Sequence, residues 1–243
     1  MNIIKLSAID STNSYLKQLC SDKSVKDFTV VSASSQTHGR GQMGAKWQSQ
    51  GGKNLTFSVF KDVSFLDVEQ SFYISMVVSI ALLKTLRLFS IKSTQIKWPN
   101  DILSEHFKIA GILIENIITG STLKSSVIGV GLNINETIFT DLPKATSMRL
   151  ISGKTYNLDE VLYVFLDELK HQFNSLEQHH YKAIKEIYLN NLFRKDKPST
   201  FKDKNNIVFS GFIKDVTNTG NILIKVEDNI IEEYAYKEVT LLY

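Results

Sequence analysis

Gln36-Thr37-His38-Gly39-Arg40-Gly41-Gln42-Met43-Gly44-Ala45-Lys46-Trp47 is the stretch on which the fold turns. Its glycines at 39, 41 and 44 have the GxGxxG spacing of a dinucleotide-binding turn, and the apolar run Phe28 to Ala33 before it reads as a strand. In a doubly wound fold the third glycine opens a helix whose N-terminus holds a pyrophosphate. Here a polar run to Lys53 follows, then Asn54 to Phe60, which alternates as a strand does. The Rossmann reading is therefore excluded, and a strand–loop–strand unit is predicted with its loop over Ser34 to Gly44. Such a loop still has chemical content. Glycines let backbone N–H groups approach an anion. Arg40 offers a planar fork to a phosphate or carboxylate, Lys46 and Lys53 add positive charge, and Trp47 can cover a flat ring. A mobile surface loop would carry similar residues, so the segment alone does not decide its role.

Upstream, Ile3 to Leu6 reads as a short strand. Asp10-Ser11-Thr12-Asn13 supplies helix-capping side chains ahead of Tyr15, Leu16 and Leu19 at helical spacing. Downstream, Glu69 to Phe89 reads as one long buried helix, whose most apolar part, Phe72 to Leu83, is too short to span a bilayer. Gln95 to Trp98 is a strand stopped by Pro99. Ile102-Leu103, Lys108 to Asn116 and Lys124 to Asn133 are three more, the last two joined by a turn at Thr119-Gly120-Ser121. Asp159 to Phe173 and Tyr181 to Phe193 have helical periodicity, with Ile184, Ile187, Tyr188 and Leu192 on one face of the second. Arg194 to Asn206 reads as a boundary, and the short alternating segments beyond it suggest a small SH3-like barrel. The predicted division is residues 1–193 and 194–243.

Composition narrows the class. The chain has 243 residues, 43% hydrophobic and 22% charged, with a net charge of +3. That suits an ordinary globular protein and is too mild to argue for nucleic-acid binding. The single cysteine, Cys20, rules out a disulfide within the chain and reads as a small apolar helix residue. The N-terminal residues lack the pattern of a signal peptide. A cytoplasmic protein without a membrane association is expected.

Two further clusters carry chemistry. Lys97-Trp98-Pro99-Asn100-Asp101 closes a strand, and Lys108 opens the apolar run Ile109-Ala110-Gly111-Ile112-Leu113-Ile114-Glu115. A lysine at a sheet end can neutralise charge developing on a phosphate, or can simply guard the strand end. Asp101 can orient an incoming amine or serve the turn with Asn100. In Gly129-Val130-Gly131-Leu132-Asn133, glycines inside a strand mark a close neighbour or ligand. The Asn133 amide can read an adenine edge.

Taken in order, Ser11-Thr12-Asn13, Gln36-Thr37-x-Gly39-Arg40-Gly41-x-x-Gly44-x-x-Trp47, Lys97 to Asp101, Lys108-x-Ala110-Gly111-Ile112-Leu113 and Gly129-x-Gly131-x-Asn133 resemble the biotin–protein ligases. The resemblance covers most of the first 135 residues. It implies an α+β protein with a core like that of class II aminoacyl-tRNA synthetases, a mixed sheet with flanking helices, plus the small C-terminal barrel. It implies that biotin and ATP, with Mg²⁺, form biotinyl-5′-AMP, and that a lysine of a biotin carboxyl carrier protein then displaces AMP.

By that resemblance Ser11, Thr12, Asn13, Gln36, Arg40, Gly41, Gln42, Lys108 and Gly111 serve biotin. Gly39, Trp47 and Asn133 serve the nucleotide, and Arg40, Lys108 and Asp101 carry the chemistry. No residue is expected to ligate a metal directly, and the resemblance allows a homodimer. Gln42 and Met43 stand where some members carry arginines, so the loop is less cationic. No room precedes Ile3 for a helix-turn-helix domain, so sequence-specific DNA binding is not expected. The rival readings are a lipoate or octanoate ligase or transferase on a similar core, and a non-catalytic biotin- or nucleotide-binding regulator.

Overall fold

The computed structural model describes residues 2–22 and 24–243, with the side chain of Met43 outside the described part. The chain runs β1 (Asn2–Ile9), α1 (Thr12–Asp22), β2 (Thr29–Gln36), β3 (Leu55–Asp62), α2 (Phe72–Leu88), β4 (Thr94–Lys97), β5 (Asp101–Ser104), β6 (Phe107–Thr119) and β7 (Thr122–Leu132). It continues through α3 (Met148–Ser152), α4 (Leu158–Glu177), α5 (Tyr181–Asn190), β8 (Pro198–Asp203), β9 (Val208–Val216), β10 (Ile222–Lys225), β11 (Ile231–Tyr234) and β12 (Val239–Leu242). The first seven strands form one mixed sheet in the order β1-β2-β3-β7-β6-β5-β4. The β1–β2 pair is parallel and the other neighbours are antiparallel.

Strand alternation gives the large sheet two unlike faces. Val30, Phe57, Val59, Ile112, Ile128 and Val130 belong to the main core together with residues of α2 and α4. Phe57 meets Phe165 of α4 edge-on at 5.3 Å. By length and hydropathy alone, Val68–Leu88 could cross a membrane. Its apolar residues run all round the helix because the sheet covers one side and α4 and α5 the other. The opposite sheet face is half covered by helix: α1 packs Leu16 against Val31 and Val127.

That face has a defined register. Ala33, Thr56, Gly131, Gly111, Asp101 and Lys97 are successive cross-strand partners from β2 to β4. The neighbouring row is Val31, Ser58, Gly129 and Leu113. Two adjacent strands therefore place glycine opposite glycine in the middle of the sheet, which leaves a flat floor without side chains.

The second sheet is antiparallel, in the order β11-β10-β9-β8-β12, and buries Phe201, Ile213, Val216, Ile222, Ile224 and Val239. It fits the SH3-like unit expected. Its β9–β10 turn rests on the first sheet's helices and motifs. Trp98 Nε1 donates to Gly220 O at 2.8 Å, Tyr73 Oη to Asn218 Oδ1 at 3.3 Å, and Lys185 pairs with Asp215 at 3.1 Å.

Several boundaries differ from the sequence reading. The loop begins at Thr37, because Ser35 and Gln36 still pair with β1. The helix predicted from Glu69 is a single 3₁₀ turn, Val68–Gln70, before α2 starts at Phe72. Helix α5 ends at Asn190, Ile187 faces outward, and Leu192 is buried by pairing beside Ile96. The predicted linker Arg194 to Asn206 contains β8, opened by Pro198, with Phe201 turned into the barrel core. Short α3, capped by Ser147 Oγ at Leu150 N, gave no periodic signal.

Tyr188 yields a stability prediction. Its ring packs edge-on against Phe72 at 5.9 Å, and its hydroxyl is fully buried with no partner among the described residues. Burial pushes the phenol pKa well above its ordinary range. Tyr188→Phe removes an unsatisfied polar atom while keeping the ring. Its expected effect is a gain of up to about 1–2 kcal/mol, read as a higher urea midpoint with an unchanged slope.

Candidate active site

Two cavities share a wall, one of ≈ 150 Å³ over the glycine floor and one of ≈ 990 Å³ beside it. The smaller is lined by Ser11, Thr12, Asn13 and Gln36 on one side and by Asp101, Lys108 and Gly111 on the other. Arg40, Gly41, Gln42 and Trp47 line both, and Gly39 lines the larger.

Ser11-Thr12-Asn13 sits at the joint between β1 and α1, where Ser11 Oγ accepts from Ser14 N at 3.4 Å and caps the helix. Gln36 Oε1 accepts from Thr12 N at 2.8 Å and Thr12 Oγ1 at 3.1 Å, which fixes the amide and turns Nε2 toward Gly39. Ser58 Oγ donates toward Thr12 Oγ1 at 2.8 Å and Asn13 Oδ1 at 2.5 Å. Asn13 Nδ2 donates to Glu115 Oε2 at 2.9 Å and Leu113 O at 3.3 Å. Ser11, Thr12, Asn13 and Ser58 are buried, and these hydrogen bonds hold the pocket in shape.

Trp47 lies on the glycine floor. A methyl carbon on Gly131 would stand 2.2 Å from Trp47 Cε2, and one on Gly111 would stand 3.1 Å from Cζ3. Any side chain at 131 would expel the ring. Indole Nε1 is buried with no partner among the described residues, and so is Gln42 Oε1. Both are loop atoms whose hydrogen-bonding capacity is unused among the described residues.

Lys108 reaches the same place through an irregularity. Strict alternation would put it on the face opposite Gly111. The pairing of β5 with β6 shifts register between Ile102 and Leu103, where Ala110 and Lys108 are the successive partners. The extra residue re-aims the lysine into the cleft. There Nζ lies 2.6 Å from Asp101 Oδ1 and 5.7 Å from the Trp47 ring centre. Lys97 Nζ stands 3.7 Å from Asp101 Oδ2. Two ammonium groups share one carboxylate, which leaves one positive charge for an anion.

A glycine loop crossing a hydrogen-bonded polar pocket, with a lysine–aspartate pair beyond it, also matches a known sequence pattern. The model of the biotin/lipoate A/B protein ligase family matches residues 6–133. The chain belongs to this family. It is similar to the bifunctional ligase/repressor BirA of Bacillus spizizenii (strain ATCC 23059 / NRRL B-14472 / W23), at 26% identity over 96% of this chain and 72% of that protein. It is similar to BirA of Escherichia coli (strain K12), at 34% identity over 55% of this chain and 40% of that protein. The alignments leave part of both relatives unmatched. Among solved structures, the biotin protein ligase from Aquifex aeolicus in complex with biotin and ATP superposes with a TM-score of 0.80 at 25% identity, covering 99% of this chain and 98% of that one.

Within this biotin/lipoate ligase framework, the loop's arginine has a partner that the sequence did not suggest. Arg40 Nη2 lies 3.1 Å from Glu115 Oε1 and Nη1 3.4 Å from Oε2, with Ser14 Oγ at 3.3 Å from Nη1. Lys17 Nζ adds a contact to Oε1 at 3.0 Å. Burial would raise the Glu115 pKa, but hydrogen bonds from Asn13 and Lys17 and the Arg40 charge outweigh it and hold the carboxyl below its ordinary value. This contribution is therefore complete above the ordinary glutamate range and is lost as pH falls through the lowered value.

Of the residues given a role by the resemblance, Asn133 alone stands off the walls of these two cavities. Its Nδ2 donates to Thr146 O at 3.0 Å at the end of β7, and its Oδ1 is buried without a partner among the described residues. The expectation about Met43 lies outside the described residues. Reading the sequence missed Ser58, Glu115 and Tyr236. The first two were accessible by alternation, since Ser58 faces Gly129 across the ladder and Glu115 shares a strand face with Gly111. Tyr236, between β11 and β12, lines both cavities and meets Trp98 at 6.2 Å. Burial raises its pKa, with the Asp101 charge adding to the shift. Nothing local in the sequence marks it.

Proposed function

We propose that this protein is a biotin–protein ligase, which activates biotin with ATP to biotinyl-5′-AMP and passes the biotinyl group to a lysine of a biotin carboxyl carrier protein. The observation that carries the reading is convergence. Five segments far apart in sequence meet around two adjoining cavities, within a fold matching, over nearly its whole length, a ligase solved with biotin and ATP.

The chemistry follows from what each wall offers. A ureido ring needs both donors and acceptors, and the Ser11–Thr12–Gln36 side supplies them. An apolar side chain can lie along the Trp47 ring and Leu113 toward Lys108. There a carboxylate oxygen attacks the α-phosphorus and pyrophosphate leaves. Lys108, with Lys97 behind Asp101, lowers the repulsion between the two anions and stabilises charge on the transferring phosphoryl group. In the second step the carrier amine attacks the carbonyl carbon and AMP departs, and Asp101 would accept a hydrogen bond from that amine. Trp47 and Gly39 are assigned to the nucleotide side, and the unpartnered Asn133 Oδ1 would receive a ligand amino group at the end of β7.

No group of three or more His, Cys, Asp or Glu side chains suited to a metal occurs among the described residues, and Asp101 is already engaged by two ammonium groups. Mg²⁺ is therefore assigned to the triphosphate itself, and no step here runs through a protein-bound metal.

The test is substrate choice in the first step. Pyrophosphate release should require both ATP and biotin. Release with lipoate or octanoate and none with biotin would replace this reading by that of a lipoate-type ligase on the same core.

A further inference from the structure

Among the described residues of the 37–47 segment, Arg40 alone forms a salt bridge, and its partner Glu115 is only 16% exposed at the side chain. Surface pairs contribute little, but this carboxylate is shared. Oε1 takes Lys17 and Arg40 Nη2, while Oε2 takes Asn13 and lies near Arg40 Nη1. The contacts continue from Asn13 to Ser58, from Ser58 to Thr12, and from Thr12 to Gln36, the last residue of β2. The network leaves the loop at Arg40 and returns to its base at Gln36. Glu115 is the link that closes this ring, and Lys17, Arg40 and Glu115 together keep a net positive charge.

We infer that Glu115 is a positioning residue for the ligase reaction, coupling closure of the 37–47 loop to the polar network at its base. The inference rests on the proposed function. A mixed anhydride must be kept from water until the acceptor amine arrives. If Glu115 holds the loop shut, its loss uncouples the two half-reactions: adenylate forms but is hydrolysed before transfer.

Glu115→Gln in the full chain is the test, since it keeps an acceptor for Asn13 and removes the charge that holds Arg40. The ratio of pyrophosphate released to biotin transferred should rise about tenfold, a change that a purely structural role would not produce. Amide exchange should quicken by about the same factor at Gly41 and Trp47, whose N–H groups bond Ala45 O at 2.7 Å and Gly39 O at 2.9 Å across the loop. An unchanged ratio and unchanged exchange overturn the inference while leaving the ligase reading intact. Absence of biotin-dependent pyrophosphate release from the unmodified protein overturns the ligase reading, and the exchange measurement still judges the Glu115–loop link. If Glu115→Gln fails to fold, Arg40→Gln breaks the same contact from the loop side, and unchanged exchange there contradicts the proposal.

Discussion

Lys108→Ala lowers biotin-dependent pyrophosphate release by an amount corresponding to about 2–4 kcal/mol of transition-state stabilisation, the range for removing a preorganised charge from a reacting phosphoryl group. The geometry explains why the loss should appear in turnover. Lys108 Nζ is fixed by Asp101 Oδ1 at 2.6 Å and lies under Trp47, so its charge is in place before the reactants meet. Lys97 is no substitute, because it stands 3.7 Å from the other oxygen of Asp101, on the next strand out. Removing Lys108 also leaves Asp101 with one distant counter-charge beside the site where two anions must approach. A near-unchanged rate would show that Lys108 serves the strand end and not the reaction.

Gly129→Ala should be the most damaging glycine substitution for the biotin side. Its methyl carbon would stand 2.3 Å from Asn13 Oδ1. Asn13 cannot retreat, since it is held by Ser58, Leu113 O and Glu115. The clash must therefore displace a buried hydrogen-bonded amide from a close-packed wall. A loss of about 1–3 kcal/mol in stability is expected, together with a raised KM for biotin. Gly51 makes the contrast: a methyl carbon there meets only ordinary contacts, the nearest at 3.6 Å from Ser35 Cβ. Gly51→Ala should leave both quantities unchanged. Equal effects from the two substitutions, measured by denaturant unfolding and biotin titration, would contradict the role given to Asn13.

Much of this site could be read before the fold was known, because its residue types are unusual for their places. Glycines inside a strand, at 129 and 131, signal a close neighbour, and the neighbours prove to be Asn13 and Trp47. The strand after Trp47 excluded a Rossmann turn, and β3 indeed pairs antiparallel with β2. What escaped depended on register and long-range contact. The β6 irregularity that aims Lys108 into the cleft depends on how β5 pairs with it, which no local pattern encodes. Glu115 looked like the polar end of an apolar run, and only packing against α1 gave it Arg40, Lys17 and Asn13 as partners. Tyr236 enters the cleft because the second sheet docks through Trp98 and Gly220, a contact across 122 positions of sequence. Pro198 obscured β8 for a simpler reason: at a strand's first residue its missing N–H costs little, yet in sequence it reads as a breaker.

The most direct measurement is the intact mass of a purified biotin carboxyl carrier domain after incubation with this protein, biotin and ATP. The account predicts one biotinyl addition on a single lysine, dependent on both biotin and ATP, and its near-complete loss with Lys108→Ala. An unmodified carrier in the presence of active protein, or a lipoyl or octanoyl addition from the corresponding acid where biotin gives none, would contradict it.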